Sequence, residues 1–246
     1  MNSCAQTDVG KVRKINQDAV FASEDSVGIL PNLFLVADGM GGHKAGDFAS
    51  SFAVRYMVSL AGETREKSAV AALRTIIEQT NTLLFEQSIR SPELEGMGTT
   101  LVAAFVENQI LYVANVGDSR LYLLRDRLEQ ITRDHSYVEE MVSLGKIERG
   151  SEAYRSQKNI ITRAVGIGPV VEPDLFEIPL KCGDLILLCS DGLTNMVGDE
   201  EICTILKADG TLEEKADVLI RRANENGGKD NIAVVLLKPQ ISEVSL

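Results

Sequence analysis

Residues 32–42 read NLFLVADGMGG and place an acidic residue directly after an apolar run. The five residues 33–37 are mostly large and apolar, which predicts a buried strand. Asp38 follows this run, and Gly39, Gly41 and Gly42 leave the backbone beside it almost without side chains. Because other groups can approach such a backbone closely, the stretch suggests a binding site at the end of a core strand.

The same combination of apolar run, aspartate and nearby glycine occurs at three further places. Asp118 lies in ILYVANVGDSR, Asp191 in LILLCSDG and Asp230 in GGKDNIAVVLL. An aspartate beside a glycine is by itself typical of a turn. Turn chemistry does not explain why four acids stand at the ends of the most apolar strands. We expect these ends to converge on one side of a sheet, where like charges need a counter-ion.

Divalent metal ions are the counter-ions that this pattern favours. Carboxylates together with water suit Mg²⁺ or Mn²⁺, and the chain has no cluster of His and Cys that would indicate zinc. Two such cations about 3.5–4 Å apart form a centre that promotes displacement at phosphorus. Next to the further acid Asp18, Lys11, Arg13 and Lys14 offer a partner for phosphate. We favour Arg13 because a guanidinium binds phosphate in a bidentate manner; the alternative is an exposed surface arginine.

The composition of the 246-residue chain is that of an ordinary soluble globular protein, with 44% hydrophobic and 25% charged residues. A net charge of −11 argues against a nucleic-acid partner. It reflects either general solubility or carboxylates that cluster around metal ions. The apolar runs are too short for membrane insertion, and the N-terminus lacks a signal-peptide core. With four cysteines and no CxxC pair, we expect a cytoplasmic protein.

The pattern of elements predicts a single domain over residues 1–240, with a short tail at 241–246. Short β-type runs joined by brief polar turns favour antiparallel hairpins, and helical periodicity predicts an α+β layered fold. A further short helix is expected to begin at Ser136, which has the capping-box spacing to Glu139. The predicted strands are 19–23, 33–37, 99–106, 110–116, 120–125, 128–132, 175–180, 185–190 and 231–238, and the predicted long helices are 47–60, 66–90, 200–207 and 212–226.

A polar, glycine-punctuated stretch interrupts these elements at residues 143–159. We expect it to lack regular structure, and either a solvated loop or a binding loop is consistent with its composition. We refer to residues 141–160 as the flap.

Eight sequence blocks, taken in order, resemble the signature blocks of the metal-dependent protein Ser/Thr phosphatases, the PPM or type 2C family. The resemblance covers nearly the whole chain and is closest to the short, stand-alone bacterial members. It implies a four-layer α-β-β-α sandwich in which two antiparallel sheets pack face to face with helix pairs outside. The blocks are VRKINQDA, LFLVADGMGGHKAG, GMGTTLVAAFV, VANVGDSRLYLLR, ITRDHS, ITRAVG, LLCSDGLTNMV and GGKDNIAVVLL.

The resemblance also implies a role for each candidate metal ligand. Asp38 would bridge two Mn²⁺ or Mg²⁺ ions, and the carbonyl of Gly39 would bind one of them. Asp191 and Asp230 would complete the first ion, and Asp18 would reach the second through water. Two ions per chain are therefore expected.

Further residues are assigned by the same resemblance. Asp118 would hold a third, weaker metal ion together with Asp191, Arg13 would bind the substrate phosphate, and Asn231 would support the site. Animal members place a proposed general acid where this chain has Met40. Either His43 or a metal-bound water would then protonate the leaving serine oxygen, and we favour the water.

The expected function is hydrolysis of phosphoserine and phosphothreonine in proteins, by direct attack of a water that bridges the metal pair. One alternative is a narrow-specificity phosphatase of a single regulatory partner, such as an anti-sigma antagonist. The other is a catalytically silent metal-binding scaffold. The resemblance implies that the partners are phosphorylated proteins of a cognate membrane-anchored Ser/Thr kinase, and that the flap adjusts substrate choice. A monomer is the default expectation.

Overall fold

The strand β3 (Leu33–Met40) is buried on both faces, and this decides how the layers stack. In the computed structural model, which describes residues 1–42 and 45–241, Leu33, Leu35 and Ala37 pack in one apolar cluster. The intervening Phe34 and Val36 pack in a different cluster. Successive side chains of a strand point to opposite faces, so β3 belongs to a sheet that is covered on both sides.

The remaining elements follow in chain order around β3. They are β1 (Asn2–Asp8), β2 (Asp18–Ser23), α1 (Ala45–Glu63), α2 (Ala69–Arg90), a short 3-10 helix (Pro92–Leu94), β4 (Gly98–Thr99), β5 (Leu101–Glu107), β6 (Ile110–Val116), β7 (Arg120–Leu124), β8 (Leu128–Gln130), α3 (Tyr137–Ser143), α4 (Glu152–Gln157), β9 (Asp174–Pro179), β10 (Leu185–Cys189), α5 (Asp191–Thr194), α6 (Asp199–Lys207), α7 (Leu212–Glu225) and β11 (Ile232–Lys238).

These strands form two sheets in which neighbouring strands run antiparallel. The first sheet has the order β2-β3-β5-β6-β9, with β4 paired to β3, and the second has the order β1-β11-β10-β7-β8. The hairpin between β5 and β6 turns on Asn108 and Gln109, whose φ angles are 50° and 64°. A two-residue hairpin loop with two positive φ angles matches the right-handed twist of its strands.

Three apolar clusters fill the spaces between four layers. One cluster lies between α1, α2 and the first sheet, and a second lies between α6, α7 and the second sheet. The third cluster joins the facing sides of the two sheets, for example through Val36, Val102 and Val235. The predicted α-β-β-α sandwich is therefore confirmed.

One strand was missing from the sequence-based prediction. Strand β1 reads NSCAQTD and has only Cys4 buried, so it carries no apolar run. It forms because its backbone pairs along its whole length with β11, from Asn2 opposite Lys238 to Asp8 opposite Ile232. As an edge strand it needs little apolar surface of its own, and a pattern of buried side chains cannot reveal it.

The ends of several helices differ from the predicted ends by a few residues. Helix α2 begins at Ala69 rather than at residue 66, because the Ser68 hydroxyl accepts a 3.1 Å hydrogen bond from Ala71 N and caps the helix there. The predicted cap at Ser136 is confirmed, since its hydroxyl accepts a bond from Glu139 N.

The flap contains regular structure, so the prediction that residues 143–159 lack it was wrong. The short helix α4 lies within the flap and is capped by Ser151, whose hydroxyl accepts from Tyr154 N at 3.2 Å. Helix α3 holds α4 in place, because Glu139 accepts hydrogen bonds from Tyr154 Oη at 2.6 Å and from Arg149 at 2.5 Å. Long polar side chains stabilise the flap where apolar periodicity is absent.

Within the part of the chain that the structure describes, no helix combines the length and the apolar character that crossing a membrane requires. His43, a candidate general acid, lies outside the described residues.

Candidate functional site

The candidate aspartates come together from both sheets. Asp18, the first residue of β2, lies directly opposite Asp38 of β3 in the first sheet. Asp191 follows β10 and begins α5, while Asp230 precedes β11, the neighbour of β10 in the second sheet. The sequence pattern predicts that the strand ends converge on one side of a single sheet. The structure corrects this, because the acids meet between the ends of two facing sheets.

Ser190 connects the two sheets at this acidic pocket. Its hydroxyl donates a 2.6 Å hydrogen bond to Asp18 Oδ2 and accepts one of 2.9 Å from Ala233 N. Its own backbone N–H donates to the carbonyl of Ala233 at 3.2 Å. The sequence pattern did not predict a role for Ser190. Its signal was a small hydroxyl residue placed between a buried strand and a candidate ligand.

Two threonines hold the backbone of Asp38 in place. Asp38 N donates to Thr100 Oγ1 at 2.9 Å, and the Asp38 carbonyl accepts from Thr100 N at 2.9 Å and from Thr99 Oγ1 at 3.0 Å. Thr100 also shares a 2.7 Å hydroxyl contact with Ser119, the residue after Asp118. These bonds satisfy the backbone N–H and carbonyl of Asp38 at the strand end. The Asp38 carboxylate is not needed for them and can act as a ligand in the acidic pocket.

Gly39 allows the N-terminal turn of α1 to lie against β3. A Cβ atom at Gly39 would stand 1.9 Å from the carbonyl oxygen of Gly46, well inside van der Waals contact. Gly39 N donates a 2.9 Å bond to the Gln17 carbonyl, which fixes the strand next to Asp18. Only glycine fits at this position. Close packing against α1 therefore explains why residue 39 is glycine, and this explanation is separate from the ligand role predicted for its carbonyl.

Burial and mutual repulsion raise the pKa values of four of the clustered acids. Burial is the largest cause for Asp38, whose pKa lies well above its usual value, and repulsion from Asp18, Asp191, Asp118 and Asp230 adds to it. Burial likewise raises the pKa of Asp18 to about 7, and that of Asp118 to about 7. The pKa of Asp191 is also raised, first by burial and then by Asp230. The five carboxylates therefore share one electrostatic environment.

The pocket has the properties of a site for hard divalent cations. Asp18 Oδ1 and Asp118 Oδ1 are buried and have no hydrogen-bond partner among the described residues. A buried carboxylate oxygen without a partner is costly, and a cation would satisfy it. In the described ranges no group of three or more Asp, Glu, His or Cys side chains has the arrangement of a finished metal site. The unpartnered oxygens fit Mg²⁺ or Mn²⁺, since these ions prefer oxygen ligands and Mg²⁺ binds through only one or two carboxylates with water completing its shell.

Arg13 stands at the edge of this pocket. Its Nη2 atom lies 2.8 Å from Asp230 Oδ2, and its side chain remains 48% exposed. Asn231 holds the surrounding loop, because its Nδ2 donates to the carbonyls of Val9 and Ile15 at 2.9 and 3.0 Å. The structure thus brings the predicted phosphate ligand and the predicted supporting residue to the same place as the acids.

The flap reaches the pocket through two residues that the sequence analysis missed. Lys158 Nζ donates to Asn195 Oδ1 at 2.5 Å, and Asn195 Nδ2 donates to Asp191 Oδ2 at 2.9 Å. An ammonium group can only donate, so it engages the oxygen end of the amide and leaves the NH₂ end for the carboxylate. A cavity of about 180 Å³ lies between the flap and the pocket, lined in part by Asp118, Arg120, Asp134, Tyr154, Lys158 and Asp191.

Comparison with known proteins identifies the family of the chain. The profile of the family described as protein phosphatase 2C matches residues 10–236. The serine/threonine phosphatase stp of Listeria monocytogenes serotype 4b (strain F2365) is 43% identical over 250 residues, which cover 99% of this chain and 98% of that protein.

Two solved structures have the same fold. The serine/threonine phosphatase Stp1 from Staphylococcus aureus superposes with a TM-score of 0.89 at 38% identity, covering 97% of this chain and 94% of that chain. The catalytic domain of the serine/threonine phosphatase PstP, solved in complex with two manganese ions, has a TM-score of 0.83 at 38% identity and 96% coverage of both chains.

The fold and the acidic pocket define the protein as an α-β-β-α sandwich of the phosphatase type. The match over most of its length then assigns it to a family: the chain belongs to the protein phosphatase 2C family.

Proposed function

We propose that this protein hydrolyses phosphoserine and phosphothreonine in other proteins with the help of two Mn²⁺ or Mg²⁺ ions. The convergence of Asp18, Asp38, Asp191 and Asp230 from two sheets is the observation that carries the proposal. Buried carboxylate oxygens without partners in this pocket support a function that requires cations. Membership of the protein phosphatase 2C family supports the same reaction.

The proposed ligands are those that the family resemblance implies, and the placement of each residue is consistent with them. Asp38 lies opposite Asp18, is repelled by all four other acids and would contact both ions, with the Gly39 carbonyl on one of them. Asp191 and Asp230, from the second sheet, would bind the first ion. Asp18, whose Oδ2 is engaged by Ser190, would reach the second ion through water.

A third, weaker ion is proposed beside Asp118. This acid lines the cavity under the flap together with Asp191, and its Oδ1 is buried without a hydrogen-bond partner in the described part of the chain. Asp118 lies outside the paired strands β2 and β3, so we expect its substitution to separate this ion from the other two.

The metal ions, when bound, would make hydroxide available near neutral pH and would neutralise charge on the phosphoryl oxygens. Arg13 would hold the phosphate. One nitrogen of its guanidinium bonds Asp230, and the half-exposed remainder offers further N–H donors to a phosphate oxygen. The salt bridge to Asp230 keeps the guanidinium aimed at the pocket before substrate arrives.

The protein side chains offer few alternatives to water as nucleophile or acid. Burial raises the pKa of the Cys4 and Cys189 thiols, which disfavours a reactive thiolate. His135 is buried; its Nδ1 accepts from Gly117 N at 3.1 Å and its Nε2 lies 3.3 Å from Asp174. We therefore propose direct attack by water, with water rather than His43 as the proton donor to the leaving oxygen.

We propose the following cellular setting for this reaction. We expect a single catalytic domain over residues 1–240 that acts as a monomer in the cytoplasm. Of the tail predicted at 241–246, residues 242–246 lie outside the described part of the chain. The substrates of the domain would be proteins phosphorylated by a cognate membrane-anchored Ser/Thr kinase. Turnover measured on a panel of phosphorylated proteins would distinguish this broad specificity from dephosphorylation of a single regulatory partner.

The direct test is hydrolysis of p-nitrophenyl phosphate and of a phosphothreonine peptide in the presence of Mn²⁺. We expect activity that EDTA abolishes and that added Mn²⁺ restores. Asp38→Asn should remove turnover, whereas Asp25→Asn, at an exposed aspartate of the β2–β3 turn, should not. Full activity in EDTA, or no activity with metal, would reject the proposed function.

A further inference from the structure

The loop between β1 and β2 exposes an unusual set of apolar side chains. Val9, Val12 and Ile15 are 36%, 64% and 40% exposed, and they are three of the eight large apolar residues that are exposed in the described ranges. All three lie within seven residues of sequence, which we call the basic loop (residues 9–15). Exposed apolar residues that cluster in this way indicate an interaction surface.

The basic loop also concentrates positive charge in an acidic protein. Lys11, Arg13 and Lys14 are exposed, and the chain as a whole has a net charge of −11. Arg13 bonds Asp230, but no carboxylate among the described residues lies within ion-pair distance of Lys11 or Lys14. These two ammonium groups are available to a partner.

The backbone of the basic loop is fixed against the segment that carries Asp230. Lys11 N and Val12 N both donate to the Gly228 carbonyl, at 2.8 and 3.2 Å. Gly10 has a φ of +78°, and a Cβ atom there would stand 2.2 Å from the Asp230 carbonyl oxygen. With Asn231 holding both ends, the loop is ordered before any partner binds, which reduces the entropy cost of binding.

We propose that the basic loop binds the residues that flank the phosphorylated serine or threonine of a substrate, and that it favours acidic and branched apolar flanks. This inference rests on the proposed function, since Arg13 within the loop would hold the phosphate itself. An extended peptide advances about 3.4 Å per residue, so flanking side chains one to three positions away would meet Lys11, Val12, Lys14 or Ile15. Opposite charge across this contact would select the substrate.

A matched pair of phosphothreonine peptides tests the charge preference. The two peptides differ only in their flanks, which carry two Glu in one and two Lys in the other. The readout is kcat and KM for each, normalised to p-nitrophenyl phosphate in the same Mn²⁺ buffer. We expect the unmodified protein to favour the Glu peptide through a lower KM, and the preference to shrink in high salt.

Substitution of Lys11 and Lys14 tests whether these two residues cause the preference for Glu flanks. The double variant Lys11→Ser with Lys14→Ser should lose about threefold to tenfold of the Glu-over-Lys ratio, as two exposed ion pairs would supply. Lys11→Glu with Lys14→Glu should reverse the preference. The control is Lys67→Ser with Lys181→Ser, an equal change of net charge at exposed lysines elsewhere, and it should keep the original ratio.

The apolar preference is tested by Val12→Ser. This variant should erase the preference for a peptide with Ile rather than Ser beside the phosphothreonine.

The possible failures are distinguishable. Hydrolysis of both peptides with equal KM, or a charge preference that survives Lys11→Glu with Lys14→Glu, would overturn the inference and leave the proposed function intact. Absence of turnover of both peptides and of p-nitrophenyl phosphate would reject the proposed function, and this inference with it.

Discussion

The Ser190 hydroxyl donates a 2.6 Å hydrogen bond to Asp18 Oδ2, although the two residues lie 172 positions apart in the chain. Asp18 belongs to the first sheet and Ser190 follows a strand of the second sheet. The bond therefore couples the relative position of the two sheets to the position of one carboxylate in the acidic pocket.

Removal of this hydroxyl should weaken both the fold and the metal site. In Ser190→Ala, a buried carboxylate oxygen and the Ala233 N–H both lose a partner, at a cost of about 1–3 kcal/mol each in the free energy of unfolding. The bond also lowers the pKa of Asp18 against the larger effect of burial, so its loss should move Mn²⁺ binding to higher pH. Urea unfolding and calorimetric titration measure the two effects. Ser59→Ala, at an exposed serine, is the control, and unchanged stability of Ser190→Ala would contradict the expectation.

The metal-free protein should lose stability as the pH rises. Burial raises the pKa of Asp18 and of Asp118 from 3.8 to about 7, so the folded state binds more protons than the unfolded state between these values. The free energy of unfolding therefore falls from roughly pH 4 to pH 7. We expect the melting temperature in EDTA to decrease across this range, and Asp18→Asn to flatten the decrease. A melting temperature that rises with pH in EDTA would contradict this account.

Asn195 should support metal binding without touching the metal. Its amide donates to Asp191 Oδ2, and residues that orient metal ligands in this way typically contribute about 10- to 100-fold in affinity. We expect Asn195→Ala to weaken Mn²⁺ binding by about tenfold, measured by calorimetry, and Gln79→Ala on the exposed face of α2 to leave it unchanged. Equal affinities in the two variants would show that Asp191 is held by other contacts.

Asp118 should be separable from the remaining acids. It lines the cavity under the flap and does not belong to the paired strands β2 and β3. Asp118→Asn is expected to lower turnover by about tenfold while calorimetry still detects two bound Mn²⁺ ions. Asp126→Asn, at an exposed aspartate, serves as the control. Loss of all metal binding in Asp118→Asn would place this acid in the main centre.

Gly39 should not tolerate a methyl group. In Gly39→Ala the new Cβ would lie 1.9 Å from the Gly46 carbonyl oxygen, which forces α1 and β3 apart. Overpacking of this kind costs about 1–3 kcal/mol. Gly62→Ala is the matched control, because nothing lies within 4 Å of a Cβ at that helical position, and it should be neutral or stabilising by up to about 1 kcal/mol. Similar denaturant midpoints for the two variants would contradict the packing argument.

The sequence by itself determined the layers and most of the strands. The unbroken apolar run at residues 33–37 predicts a buried strand, and the structure covers both of its faces. Period-two and helical patterns are local properties of the sequence, so they can be recognised without knowledge of the fold. The aspartates at strand ends were visible for the same reason, since each stands next to its own apolar run. The family resemblance assigned roles to them and predicted the sandwich that the structure has.

Only the tertiary structure decided which partners these residues have. It brought Asp18 against Ser190 and Asp191 against Asn195 and Lys158, and it placed the pocket between two sheets rather than along one. The polar strand β1 and the helix of the flap also appeared only there. The physical reason is that a hydrogen bond, or burial against another residue, requires two groups to be close in space. When those groups are far apart in the chain, no local sequence pattern indicates that they will be in contact.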